Sequence, residues 1–329
     1  MLHPAILALV AGSLMTAGLL AYAAWWAAVV LRRWDLSSGS HLQLELERRT
    51  VLLSAMVRLV LLFQLAALFL FVHTADSLAP LFTGAMCAAG TLQASAYGYP
   101  VLLLKLANFL LAGVWLAIDH LDARAPDYPL VRSRYAFLLA LTPMVALEAV
   151  LQALYFADLR PEIITSCCGS QFGRGGAGLG AGLAALPVAP TLVLATGVVA
   201  VAIGAALAVR ITGRGAPLLG VAAAVAVPVS IAAVIAVVSP YVYELPAHRC
   251  PFCLLQRQYH HVGYAIYAAL LGGGLAGMAA AVVSPARARP SLAVSASAFQ
   301  RRLATVAAVA FAALVVLAGS AIAASHLRM

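Results

Sequence analysis

Long apolar stretches, each bounded by polar or charged residues, recur along the whole chain. A transmembrane helix needs about 20 predominantly apolar residues to cross the hydrocarbon core of a bilayer. Stretches of about that length lie near 5–31, 51–73, 100–119, 135–157, 186–209, 217–240, 256–283 and 303–324. The pattern predicts an all-α fold, a polytopic integral membrane helical bundle of about eight transmembrane helices embedded in a lipid bilayer.

Composition supports the same fold class. Hydrophobic residues make up 64% of the chain and charged residues 9%, whereas about a quarter of the residues of a soluble domain are charged. So few charges cannot cover a surface that faces water. The composition therefore excludes a secreted disulfide scaffold, a disordered chain and an ordinary cytosolic enzyme.

Residues 76–99 differ from the predicted spans because they are rich in Gly, Ser, Thr and Gln. We expect a re-entrant or surface-lying segment here, not a ninth span. The chain then divides into an N-terminal region, 1–134, with three helices and this segment, and a region of five helices, 135–329, that carries the redox chemistry described below.

The basic residues predict the orientation in the membrane. With the N-terminus outside, the inner loops hold 13 of the 20 basic residues, and the outer loops and tail hold five. By the positive-inside rule both termini face outward, and we expect a multi-pass protein of the inner (cytoplasmic) membrane. The net charge of +9 is then a topological signal. The arginines are spread over four inner loops and form no patch for nucleic acid.

All five cysteines fall on the predicted outer side. Cys87 belongs to segment 76–99, Cys167 and Cys168 lie between spans four and five, and Cys250 and Cys253 lie where span seven begins. Thiols in an oxidising compartment form disulfides or take part in redox chemistry. Cys87 itself is predicted to be a small packed residue instead of a catalytic one.

The C-P-F-C motif at 250–253 is the strongest chemical signal in the sequence. At the start of a helix, exposed backbone N–H groups and the helix dipole stabilise a thiolate. A C-x-x-C motif is also half of a zinc site, but its position at the head of an apolar span favours redox use. The adjacent Cys167 and Cys168 leave three interpretations open: a thiol relay, soft-metal ligands or a structural disulfide.

Polar and aromatic residues follow the motif at helical spacing. A continuous helix places one set on a single face, with Gln256 and His261 beside it: Cys253, Arg257, His260, Tyr264 and Tyr267. We expect this face to line a pocket for a flat ligand that bears oxygen atoms. The alternative is that these residues lie at the level of the lipid headgroups, where Arg, His and Tyr are common.

The string C-P-F-C-L-L-Q-R at 250–257 resembles the C-P-x-C-x-x-Q-R signature of bacterial DsbB-type membrane thiol–disulfide oxidoreductases. The order of elements in spans four to seven resembles the related vitamin K epoxide reductase group, although the loop cysteines here are adjacent. The resemblance implies that Cys250 and Cys253 pass electrons to a membrane quinone, ubiquinone or menaquinone, which Arg257 helps to bind. An extracytoplasmic thioredoxin-like or other dithiol protein is the implied partner.

Two ionisable residues lie deep within predicted spans, and such residues are costly in a membrane and often functional. They are Lys105, the single lysine, and Glu148. We consider an intramembrane polar pair between them and a proton relay through Glu148. The alternative for Lys105 is that its side chain extends to the membrane surface.

The sequence thus predicts a membrane thiol–disulfide oxidoreductase that passes electrons between an outer dithiol and a quinone through two cysteine pairs. One alternative is a non-enzymatic protein that binds or transfers a metal. Another is a structural subunit of a membrane redox complex. In the metal-binding alternative the ligands are Cys167, Cys168, Cys250 and Cys253.

Overall fold

A computed structural model describes residues 3–35, 40–160, 162–165, 171–173 and 179–328. The described residues are helical and contain no strand, which confirms the predicted fold class. Eight of their helices are long and apolar enough to cross a membrane, as predicted: Pro4–Arg33, His41–Leu81, Gly98–Asp122, Val131–Asp158, Val188–Thr212, Ala216–Tyr243, Val262–Ala288 and Ala293–Ala324.

We number the α-helices in chain order. The first five are α1 (Pro4–Arg33), α2 (His41–Leu78), α3 (Ala88–Gln93), α4 (Gly98–Asp122) and α5 (Val131–Asp158). The next six are α6 (Leu179–Ala184), α7 (Val188–Thr212), α8 (Ala216–Ala233), α9 (Ser239–Tyr243), α10 (Val262–Val282) and α11 (Ala293–Ala324). A π-helical turn, Val234–Val238, joins α8 to α9 within one span.

The chain forms two compact units, and the predicted division at residue 134 into a three-helix region and a redox region remains a prediction. Unit 1 comprises Met1–Thr74, Ser95–Leu159 and Pro285–Ser297, and unit 2 comprises Ala75–Ala94, Arg160–Ser284 and Ala298–Met329. Helix α5, which the sequence placed with the redox region, therefore belongs to unit 1. Unit 2 combines most of the last four spans with the short segment that contains Cys87.

Unit 1 encloses a buried ion pair within its apolar core. Lys105 Nζ lies 2.6 Å from Glu148 Oε1, and both side chains are 1% exposed. Asn108 Nδ2 donates to Glu148 Oε2 at 2.6 Å, and Gln64 Nε2 donates to the same oxygen. The carboxylate therefore has three donors. The structure brings Lys105 and Glu148 together, and Lys105 does not extend to the surface.

A second ion network in unit 1 was not predicted. Asp119 lies 2.7 Å from Arg58 and 2.8 Å from the buried Arg134, which also lies 3.3 Å from Asp122. Each carboxylate thereby acquires a positive partner, as burial of a charge requires. Sequence spacing gave no sign of this network because its members come from three helices.

Segment 76–99 does not form a span. Helix α2 ends at Leu78, a 3-10 turn covers Ala79–Leu81, and the short α3 follows. Residues 87–92 are all buried within unit 2. No spanning helix lies between Leu81 and Gly98, and the re-entrant or surface-lying position of the segment remains a prediction. Its buried residues include Cys87.

Small residues allow the spans of unit 2 to approach closely. A Cβ atom added at Gly277 of α10 would collide with Ala223 of α8, and one added at Gly220 of α8 would collide with Ala281. Close contact through Gly and Ala is the usual way in which transmembrane helices associate.

Candidate functional site

Three cysteines of unit 2 form a compact group, which we call the cysteine cluster: Cys87, Cys250 and Cys253. Their sulfur atoms all lie within 4.8 Å of one another, and all three residues are buried. Cys87 Sγ lies 3.5 Å from Cys250 Sγ, although 163 residues separate the two along the chain. The cluster thus includes a residue that the sequence assigned to packing. The one signal that pointed to Cys87 was its place on the same predicted side as the other cysteines.

The segment that contains the C-x-x-C motif is not α-helical, which differs from the prediction. Cys253–Leu255 and Arg257–Tyr259 form two 3-10 turns, separated by an extended Gln256. His260 and His261 then adopt left-handed backbone conformations, with φ of 54° and 55°. Helix α10 therefore begins at Val262. Cys250 and Cys253 do not lie at the N-terminus of this helix, so its dipole does not account for a reactive thiolate.

The predicted ligand-binding face is consequently not formed as one helical stripe. Arg257, His260, His261 and Tyr264 are exposed, and Gln256 is half-buried. His261 Nδ1 lies 2.6 Å from the carbonyl oxygen of Leu255. These residues remain predicted quinone-binding residues, but they are not part of the buried cysteine cluster.

Gln256 connects the two halves of the cluster. Its Nε2 donates to the carbonyl oxygen of Met86 at 2.9 Å and to Asp76 Oδ1 at 3.4 Å. Asp76 Oδ1 also accepts from the backbone N–H of Ala88 at 3.0 Å, at the start of α3. The glutamine of the sequence motif therefore holds the segment around Cys87 beside the C-x-x-C segment.

Two tyrosines hold the backbone of the motif from the spans on either side of it. Tyr243 Oη, at the end of α9, donates to the carbonyl oxygen of Cys250 at 2.5 Å. Tyr267 Oη, in α10, donates to the carbonyl oxygen of Pro251 at 2.8 Å. Both bonds are made to the backbone and not to the sulfur atoms. Tyr267, which the sequence placed on the predicted ligand-binding face, thus contacts the motif directly.

Arg249 places a buried positive charge directly before the motif. The residue is 2% exposed. Its guanidinium donates to the carbonyl oxygens of Pro246, Ala184 and Ala236, and Ala236 lies in the π-helical turn. A buried cation requires compensation, and these carbonyl oxygens supply part of it. Arg249 is one of the five basic residues predicted for the outer loops and tail, and its position in the sequence did not predict its burial.

Cys167 and Cys168 lie outside the described residues. The described residues nearest to them contact the Cys87 segment: the backbone N–H of Thr165 donates to the carbonyl oxygen of Thr83 at 2.9 Å, and Gln171 Nε2 donates to that of Ala89 at 3.5 Å. The predicted role of the loop pair remains a prediction.

We predict that Gly84→Ala loosens the Cys87 segment. Gly84 has φ +90°, and an added Cβ would collide with the carbonyl oxygen of Thr165. Backbone strain of this kind costs about 1–3 kcal/mol, so Cys87 should react faster with a maleimide under native conditions. Gly182→Ala is the control, because an added Cβ there meets nothing within 4 Å. Equal labelling rates in the two variants would show that the contact does not hold the segment.

Comparison with known proteins leaves the site unassigned. No protein-family model, curated protein or solved structure matches the chain. The DsbB-type function that residues 250–257 imply by resemblance therefore remains a prediction. What is established is a multi-pass helical protein suited to a lipid bilayer, with three buried cysteines grouped in its second unit.

Proposed function

We propose that this protein is a membrane protein that binds a soft metal ion through Cys87, Cys250 and Cys253. The observation that carries the proposal is the grouping of three buried sulfur atoms within 4.8 Å of one another. Three sulfurs around one ion, at metal–sulfur distances of about 2.3 Å, lie about 4 Å apart. The cluster needs little rearrangement to reach that geometry. Cu(I) and Zn²⁺ are the ions that thiolates favour.

The surroundings of the cluster support binding as thiolates. Three thiolates with one Cu(I) or Zn²⁺ ion carry excess negative charge, and the buried Arg249 offsets part of it. Gln256, Tyr243 and Tyr267 hold the two cysteine segments through backbone carbonyl groups. Such outer contacts fix the positions of ligands before the metal arrives. The proposal changes the ligand set of the predicted metal-binding alternative by adding Cys87.

The test is metal analysis of the full chain, purified anaerobically in detergent and loaded separately with Cu(I) and Zn²⁺. We expect about one tightly held ion per chain. Each of the variants Cys87→Ser, Cys250→Ser and Cys253→Ser should lose at least about tenfold in affinity, since each removes one thiolate ligand. The matched control is Met86→Leu, which removes an exposed sulfur next to Cys87.

Two outcomes contradict the proposal. One is the absence of bound metal at micromolar concentrations of either ion. The other is an unchanged affinity in Cys87→Ser, because that residue distinguishes the cluster from a site built on the C-x-x-C motif alone. Loss of the ion in Met86→Leu as well would show that binding is non-specific.

A second candidate function is the predicted thiol–disulfide oxidoreductase, and the separation of 3.5 Å between Cys87 and Cys250 favours it. A disulfide forms when the two S–H bonds break and a new S–S bond forms, releasing two electrons and two protons. A membrane quinone that takes up both becomes a hydroquinone. An outer dithiol protein would restore the thiols by exchange. We infer the outer, extracytoplasmic side for this chemistry from the distribution of arginines.

Quinone reduction in the presence of a dithiol distinguishes the two functions. An oxidoreductase should reduce a ubiquinone or menaquinone analogue without added metal, and Cys253→Ser and Arg257→Gln should both slow the reaction. Mass spectrometry without reductant should then show a disulfide within the cluster. A chain that binds metal but reduces no quinone supports the first proposal alone.

A further inference from the structure

A cleft between α1 and α2 of unit 1 has a volume of about 380 Å³. It combines three charged residues with aromatic and aliphatic ones. The lining residues are Tyr22, Trp26, Glu45, Arg48, Arg49, Leu52, Leu53 and Met56. This mixture of charge and apolar surface is independent of the cysteine chemistry of unit 2.

The cleft lies at the boundary between water and hydrocarbon. The first ten residues of α2, H-L-Q-L-E-L-E-R-R-T at 41–50, are largely polar, and the apolar run begins at Val51. Helix α1 ends in Arg32 and Arg33 on the same side of the membrane. The charged lining of the cleft is therefore at headgroup depth, and Leu52 and Met56 lie at the start of the acyl region.

The charged end of the cleft has an excess of one positive charge. Arg49 Nε lies 2.5 Å from Glu45 Oε1, so these two residues compensate each other. The guanidinium carbon of Arg49 lies 4.0 Å from the ring centroid of Trp26, and this cation–π contact orients the side chain. Arg48 is exposed beside this pair. With two guanidinium groups and one carboxylate, the lining keeps one net positive charge.

The other end offers apolar surface for a chain of methylene groups. Leu52 is 65% exposed and Tyr22 is 54% exposed, while Leu53 is buried behind them. A ligand that matches both ends has an anionic head and an apolar tail. A soluble anion would use the charged end alone.

We propose that this cleft binds an anionic phospholipid. Its phosphate group contacts the guanidinium groups of Arg48 and Arg49, and one acyl chain lies along Leu52, Met56 and Tyr22. A zwitterionic lipid carries its own cation next to the phosphate and therefore gains less from the net positive charge of the lining. An interfacial aromatic residue such as Trp26 is typical of this depth.

Native mass spectrometry of the detergent-purified full chain tests the proposal with three probes: phosphatidylglycerol, phosphatidylcholine and soluble glycerophosphate. We expect phosphatidylglycerol to bind at least about fivefold more tightly than phosphatidylcholine, the effect of one basic residue near an anionic headgroup. Glycerophosphate should bind far more weakly than either lipid. Arg48→Gln should remove the preference for phosphatidylglycerol. Leu52→Gln should weaken the binding of both lipids to the same extent.

Arg32→Gln is the matched control, since Arg32 is also an exposed arginine, lies at the end of α1 and does not line the cleft. We expect it to leave the preference for phosphatidylglycerol in place. If Arg32→Gln and Arg48→Gln reduced the preference for phosphatidylglycerol equally, the lipid would be attracted by the overall positive charge of this side and not by the cleft. That result would overturn the proposal. Equal affinity for phosphatidylcholine, or tight binding of glycerophosphate alone, would also overturn it.

Discussion

Replacing Glu148 with leucine is expected to destabilise the protein by about 3–5 kcal/mol. The substitution removes the carboxylate partner of Lys105, whose side chain is 1% exposed. An ammonium group with no counter-ion in an apolar interior is among the most costly groups to bury. Gln64 and Asn108 would also lose the oxygen to which their amide groups donate. The measurement is the free energy of unfolding in mixed detergent and SDS micelles.

Two further variants separate charge from packing. Leu147→Ala, at an exposed neighbouring position on α5, should change the free energy of unfolding by less than about 1 kcal/mol. The double variant with Lys105→Met and Glu148→Leu should recover much of the loss, because no unpaired charge remains. If Glu148→Leu alone were no more destabilising than Leu147→Ala, the ion pair between Lys105 and Glu148 would not contribute to the free energy of unfolding.

Arg249→Met is expected to weaken metal binding at the cysteine cluster by at least about tenfold, or about 1.4 kcal/mol. The substitution removes the buried cation beside the motif and leaves the carbonyl oxygens of Ala184 and Ala236 without its donors. Without that charge, protons compete better for the thiolates. The pH at which half of the sites are loaded should therefore move upward. Metal titrations at several pH values measure both effects.

The conservative and control variants make this second prediction specific to charge. Arg249→Lys keeps the charge and should restore most of the pH profile, even if the protein is less stable. Arg257→Gln removes an exposed arginine from the same segment and should leave metal binding unchanged. A pH profile that stays the same in Arg249→Met would show that Arg249 supports the fold and does not influence the thiolates.

The sequence alone predicted the eight spans and the non-spanning segment, because both depend on local composition. Apolar length decides whether a helix crosses a bilayer, and the Gly- and Ser-rich composition of 76–99 marked it as different. Helix rise likewise placed Lys105 and Glu148 at depths that permit a pair. The sequence did not identify Gln64 or Asn108 as partners, since these depend on the packing of α2 and α4 against α5.

The conformation of the C-x-x-C segment depended on tertiary structure. Residues 253–267 have helical spacing of polar and aromatic groups, which led to the prediction of one continuous helix. The left-handed conformations of His260 and His261 interrupt that helix. The contacts of Gln256 with Met86 and of Tyr267 with Pro251 hold the segment in its turns. Contacts of this kind override local helix propensity.

The sequence by itself therefore determined the membrane architecture and the C-x-x-C motif, and only the tertiary structure decided which cysteines meet. Hydropathy is a local property that each stretch of chain carries without its neighbours. The approach of Cys87 to Cys250 joins positions 163 residues apart. It depends on how α3, α9 and α10 pack around the motif, and no local pattern in the chain specifies that packing.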